Sequence, residues 1–118
     1  LSMATPATFN IAYYRGDTYE LNVRPKDQDG NSIDLTAGGF TAAFTIASSR
    51  GPSPDTSIAC TADIIDEGTV IYCMIPPTQG ALLSGSIVYV YDVEVSNGSA
   101  VHTYLTGTVT VTEDVSNS

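Results

Sequence analysis

A chain of 118 residues has the length of one domain and can bury roughly two-thirds of its unfolded surface. Thirteen acidic residues against four basic ones give a formal charge of -9, which repels phosphate backbones and anionic lipid, so neither nucleic acid nor a membrane surface is an expected partner. No apolar run approaches the roughly 20 residues of a membrane helix, and no basic-then-apolar leader opens the chain.

Leu1 and Ser2 stand ahead of Met3 and read as a cloning remnant, leaving 3–118 as a single domain with a frayed end at 115–118. From there the pattern has a period of two. After the Arg15-Gly16-Asp17 turn, Tyr19, Leu21 and Val23 alternate with Glu20, Asn22 and Arg24. Turns at Asp29-Gly30-Asn31 and Gly38-Gly39 precede a strand in which Phe40, Ala42, Phe44 and Ile46 share one face. Residues 48–56, with Gly51-Pro52-Ser53-Pro54, form the longest expected loop. Two further runs carry Cys60 and Cys73 around a turn near Glu67-Gly68. Beyond Pro76-Pro77 a single helical turn is expected at 78–83. A strand follows, with Ile87, Tyr89, Tyr91, Val93 and Val95 on its core face, then a turn at Asn97-Gly98 and a last strand from Val101. Short strands at this spacing, about seven or eight of them, define an all-β sandwich or barrel.

The two hairpins can be read to register. In the last one, a loop that sets Val95 opposite Val101 and Tyr91 opposite Leu105 keeps one face apolar and pairs Glu94 with His102; a slip of one residue would invert every side chain. In the cysteine hairpin, a loop over 65–68 sets Cys60 opposite Cys73. Cross-strand Cβ atoms lie about 4.5–5.5 Å apart, near the span of a disulfide. Two readings stand: a bridge worth roughly 3 kcal/mol, or two buried reduced thiols acting as small hydrophobes.

Few residues carry the marks of chemistry. His102 is the one histidine, and no serine or cysteine completes a triad with it and Glu94. Asp27-Gln28-Asp29-Gly30-Asn31 has oxygen donors at calcium-loop spacing, but its glycine is misplaced and no closing glutamate follows, so it reads as an Asp-Gly turn. Arg15-Gly16-Asp17 matches the integrin tripeptide and is more simply a turn. No glycine-rich loop leads into a helix. The expectation is a non-enzyme without metal or cofactor. Seven tyrosines offer anchors for an interface; Tyr72 and Tyr104, out of phase with their core neighbours, are the candidates for exposed contacts.

Two stretches carry a resemblance. Tyr14-Arg15-Gly16-Asp17-Thr18-Tyr19 is followed by Lys26-Asp27-Gln28-Asp29-Gly30-Asn31-Ser32-Ile33-Asp34-Leu35-Thr36. Later, Val90-Tyr91-Asp92-Val93-Glu94-Val95 is followed by Leu105-Thr106-Gly107-Thr108-Val109-Thr110-Val111. Their order over residues 9–115 resembles small domains of tailed-bacteriophage virion proteins, among them the N-terminal domain of baseplate upper proteins and modules of minor tail or head-fibre proteins. The resemblance implies an immunoglobulin-like antiparallel β-sandwich that docks onto other virion proteins. It implies a homo-oligomer, with a trimer common in such settings, and location in the virion after assembly in the host cytoplasm. Tail or baseplate and capsid decoration stay open, as does whether the chain is a piece of a longer protein. The alternative is an immunoglobulin-like adhesion or carbohydrate-binding module of a surface or secreted protein.

Overall fold

The computed structural model describes residues 6–113; the cloning-remnant reading of residues 1 and 2 and the frayed end at 115–118 fall outside the described residues. The expected all-β class holds. The strands are β1 (Ala7–Thr8), β2 (Ile11–Tyr14), β3 (Tyr19–Val23), β4 (Thr41–Ala47), β5 (Ser57–Ile65), β6 (Val70–Ile75), β7 (Val88–Ser96) and β8 (Val101–Thr112), with a short helix α1 (Pro77–Gly80) between β6 and β7. They form one curled, mixed sheet, a half-barrel, in the order β1-β8-β7-β4-β5-β6-β3, with β2 also beside β8.

Purely antiparallel pairing was the expectation, and the two ends of the chain depart from it. β1 and β2 run parallel to β8, with Ala7 opposite Leu105 and Ile11 opposite Val109. Between them the chain presses on β8 at Gly107, where an added Cβ would lie 2.2 Å from the Phe9 carbonyl oxygen. The pairing therefore depends on a residue without a side chain at that position.

The curl originates in β5. Its first half pairs with β4 up to Cys60 opposite Phe44. Its second half pairs with β6, from Thr61 opposite Met74 to Ile65 opposite Val70. Changing partner along one strand curls the sheet, and the apolar side chains gather on its concave side. Alternation places Tyr13, Phe44, Ile46, Ile71, Tyr89 and Tyr91 among the fully buried side chains, each apolar side chain of this size contributing about 1.5–3 kcal/mol. The phenol hydroxyls find partners inside. Tyr13 donates to the Asp17 carbonyl at 2.6 Å, Tyr91 to the Phe9 carbonyl at 2.5 Å, and Tyr89 accepts from the Ser84 amide at 2.8 Å. Among the described residues no buried side-chain nitrogen or oxygen lacks a partner.

Both hairpin registers differ from expectation. β7 and β8 are joined by residues 97–100, so Ser96 faces Val101 and Glu94 faces Thr103. Val93 then faces Leu105, which leaves Tyr104 as the extra residue of a β-bulge. The bulge restores the apolar phase that the longer loop would otherwise have inverted. Glu94 and His102 are consequently not paired; the His102 ring lies 5.8 Å from that of Phe40. In the β5–β6 hairpin the turn takes positive φ at Asp66 (53°), Glu67 (57°) and Gly68 (87°). The register is shifted by two residues, so Cys73 faces Ala62 rather than Cys60.

Candidate interaction surface

The residues singled out in the sequence serve mainly the scaffold. Arg15 donates from Nε to the Leu83 carbonyl and from Nη2 to that of Ala81, each at 3.0 Å, and lies 3.7 Å from Glu113. Glu113 in turn accepts from the Gly85 amide at 2.6 Å. The Arg15-Gly16-Asp17 segment is thus a turn, closed by the Asp17 amide on the Tyr14 carbonyl at 3.0 Å, that fastens the connection after α1. Asp27 is likewise committed: its Oδ1 accepts from the amides of Asp29 and Asn31, both at 2.9 Å, inside an Asp-Gly turn with Gly30 at φ 85°.

Cys60 and Cys73 are free thiols. Their shifted register removes the directly opposed geometry on which the bridge depended. Burial pushes Cys60 up to about 11 and Cys73 up to about 12, so neither is a nucleophile near neutrality. Among the described residues no cluster of three or more His, Cys, Asp or Glu could hold a metal ion. Tyr72 and Tyr104 part company. Tyr72 is half-buried and donates to Glu20 across the β3–β6 pair, a bond that raises its phenol above the usual range. Tyr104 is 7% exposed, against expectation, because the bulge turns it inward.

Two concavities among the described residues bear on binding. One, of about 330 Å³, lies under the 48–56 loop, with Ser49, Arg50 and Pro54 on one side and Val90 and Asp92 on the other. Arg50 reaches out of it to Asp92 at 2.8 Å and to the Thr106 hydroxyl at 2.6 Å, which pins the loop to β7 and β8.

The second is built by the topology itself. β1 and β3 are the two ends of the sheet, and the curl brings them to opposite sides of a groove of about 390 Å³. That volume falls within the usual range for binding sites, about 300–1,000 Å³. Val23, Tyr104 and Leu105, each nearly buried, line it together with Leu21 and with Phe9, which is 46% exposed. Arg24, Pro25 and Lys26 also line it, directly after β3. Lys26 donates to the Ser32 hydroxyl at 3.2 Å. Arg24 has no hydrogen-bond or ion-pair partner among the described residues. The groove is not legible in the sequence because it joins residues 7–26 to Tyr104 and Leu105, which lie about 80 residues further along the chain. One signal was present: two of the four cations flank a proline at the end of an alternating strand, a pattern of exposed sheet edges.

Comparison with known proteins finds no family model that matches the chain and no match among curated proteins.

Proposed function

We propose that this domain is a non-enzymatic docking module, and that its particle is a tailed-bacteriophage virion in which it contacts other virion proteins as a tail, baseplate or capsid-decoration component. The open groove between the two sheet edges carries the docking reading: apart from Asn22, Arg24 and Lys26 its lining is apolar, and Arg15 and Asp27 elsewhere on the molecule are engaged in holding turns. The virion assignment rests on the sequence resemblance over residues 9–115. On this reading the curled sheet is an immunoglobulin-like sandwich, one leaf formed by β4, β7 and β8 and the other by β3, β6 and the second half of β5; the partner change at Cys60 supports that division. A symmetric particle favours repeated copies, with a trimer as the expected form.

Immunogold electron microscopy of phage particles, with antibody raised against the folded domain, tests the assignment. Label on the tail end or on the head is the expected result and separates the two sites. Absence of label from intact and gently disrupted particles would overturn it in favour of a surface adhesion or carbohydrate-binding module.

A further inference from the structure

We propose that the groove between β1 and β3 is a strand-acceptor site that takes an extended segment of another polypeptide, apolar at alternate positions and acidic between them. The inference rests on the docking reading and is independent of the virion assignment. Its first support is the backbone. Among the described residues β3 pairs only with β6, so one edge of Tyr19–Val23 offers its N–H and C=O groups to a further strand. Exposed edges of this kind are the templates used in strand addition. Among the described residues β1 pairs only with β8 and spans just Ala7–Thr8. The longer acceptor is therefore β3, with β1 as the opposite wall.

The second support is the surface that an added strand would meet. Successive residues of a strand point to opposite faces, so every second side chain of the guest enters the groove. Leu21, Val23, Tyr104 and Leu105 supply an apolar floor, and the half-exposed Phe9 ring stands at the rim.

Charge supplies the third. On a chain with thirteen acids and four bases, Arg24 and Lys26 place half of all the cations beside one groove. Carboxylates on the outward positions of the guest would meet them. In a second copy the run richest in acids, Val90-Tyr91-Asp92-Val93-Glu94-Val95, already lies between β4 and β8 and would have to leave its own sheet, and the free edge strand Tyr19–Val23 carries a single acid, Glu20.

The test uses the full chain and a fluorescent peptide of alternating valine and glutamate, matched in length to β3 and capped at both ends. Two comparison peptides carry lysine in place of glutamate, or a proline at the centre. Fluorescence anisotropy should show saturable binding of the glutamate peptide. Binding of the lysine peptide should be weaker by about tenfold, the scale of two exposed charge pairs, and the proline peptide should not bind. Arg24→Glu with Lys26→Glu, both at exposed positions, should reverse the charge preference without changing the melting temperature. Hydrogen exchange should show new protection in Tyr19–Val23 when the glutamate peptide is bound. Failure of the glutamate peptide to saturate, equal binding of the three peptides, an unchanged preference in the double variant, or protection outside β3 and β1 would overturn the proposal. Concentration-dependent protection of β3 without peptide would also overturn it, by identifying a second copy as the occupant. Immunogold labelling is unaffected by any of these outcomes, so the two readings fail separately.

Discussion

Replacing Gly107 by alanine sets two effects of opposite sign against each other. Glycine in a strand interior is disfavoured relative to alanine by about 0.5–1 kcal/mol, because it loses more backbone freedom on folding. Propensity alone therefore makes Gly107→Ala stabilising. The structure reverses the sign. A Cβ at 107 would stand 2.2 Å from the Phe9 carbonyl oxygen, 2.9 Å from its carbon and 3.1 Å from Asn10 Oδ1. Close carbon–oxygen contacts settle at about 3.3 Å or more, so the Phe9 backbone would have to retreat by about 1 Å. It is held where it is by three bonds: its amide donates to the Thr106 carbonyl at 2.9 Å, its carbonyl accepts from Tyr91 at 2.5 Å, and the neighbouring Asn10 side chain accepts from the Thr108 amide at 3.2 Å. Overpacking of this kind costs about 1–3 kcal/mol, and loss of the Tyr91 partner in the interior a further 1–3, roughly. The net expectation is a destabilisation of about 1–5 kcal/mol, or a melting temperature lower by about 4–20 °C for a domain of this size. Urea unfolding followed by circular dichroism reads it directly. Gly85→Ala is the comparison, since its added carbon meets only the exposed Glu113 side chain, and it should stay within about 1 kcal/mol of the parent. A Gly107→Ala variant as stable as the parent, or more so, would refute the close approach of β1 and β2 to β8.

Cys73 gives the chain an alkaline limit. Burial pushes its folded thiol up to about 12, whereas in the unfolded chain it titrates near its ordinary value of about 8.5. The unfolded state gives up this proton first. The associated stability is therefore complete below about pH 8.5 and falls as pH rises toward 12, by up to about 1.4 kcal/mol per unit. In reductant, denaturant unfolding of the parent between pH 9 and 10 should be steeper in pH than that of Cys73→Ala; parallel profiles would count against the burial of this thiol. Arg50→Ala should cost no more than about 1 kcal/mol, since the Asp92 pair is exposed. Limited proteolysis should nonetheless cut faster within 48–56, and an unchanged cleavage rate would show that the loop is held by other means.

What could be read from the sequence was whatever a period of two controls. Tyr89, Tyr91, Val93 and Val95 fell on the buried face of β7 as read, because a one-residue error there would expose a whole row of apolar side chains. Turn lengths were less legible. Gly98 marks the last turn, but the loop extends over 97–100, with the Asn97 side chain accepting from the amides of Ser99 and Ala100 at 3.0 and 2.9 Å. The compensating bulge at Tyr104 has no local signature, since Thr103, Tyr104 and Leu105 fit a regular strand equally well. At the β5–β6 turn, left-handed backbone at Asp66, Glu67 and Gly68 places the four-residue loop over 66–69, one residue later than expected, and that moves the register by two and Cys73 away from Cys60. The pairing of β1 and β2 with β8 joins the two ends of the chain, and alternation within a segment carries no information about a partner so distant in sequence.

The open seam follows from how the two edges are made. Closing the half-barrel would require β1 to pair with β3, but Ala7–Thr8 is too short to satisfy the whole of Tyr19–Val23. Pro6 stands just before β1 and Pro25 just after β3, so neither strand can extend its pairing with an N–H at those positions. Prolines and cations commonly guard an edge against unwanted pairing. A purely guarded edge, however, gains nothing from an apolar floor, and here Leu21 and Val23 line a concavity shared with Tyr104 and Leu105. Protection at the strand end and apolar surface along its side do different work: the first limits which segments can pair, and the second rewards a segment of the right pattern. That combination distinguishes a selective acceptor from a sheet that merely failed to close.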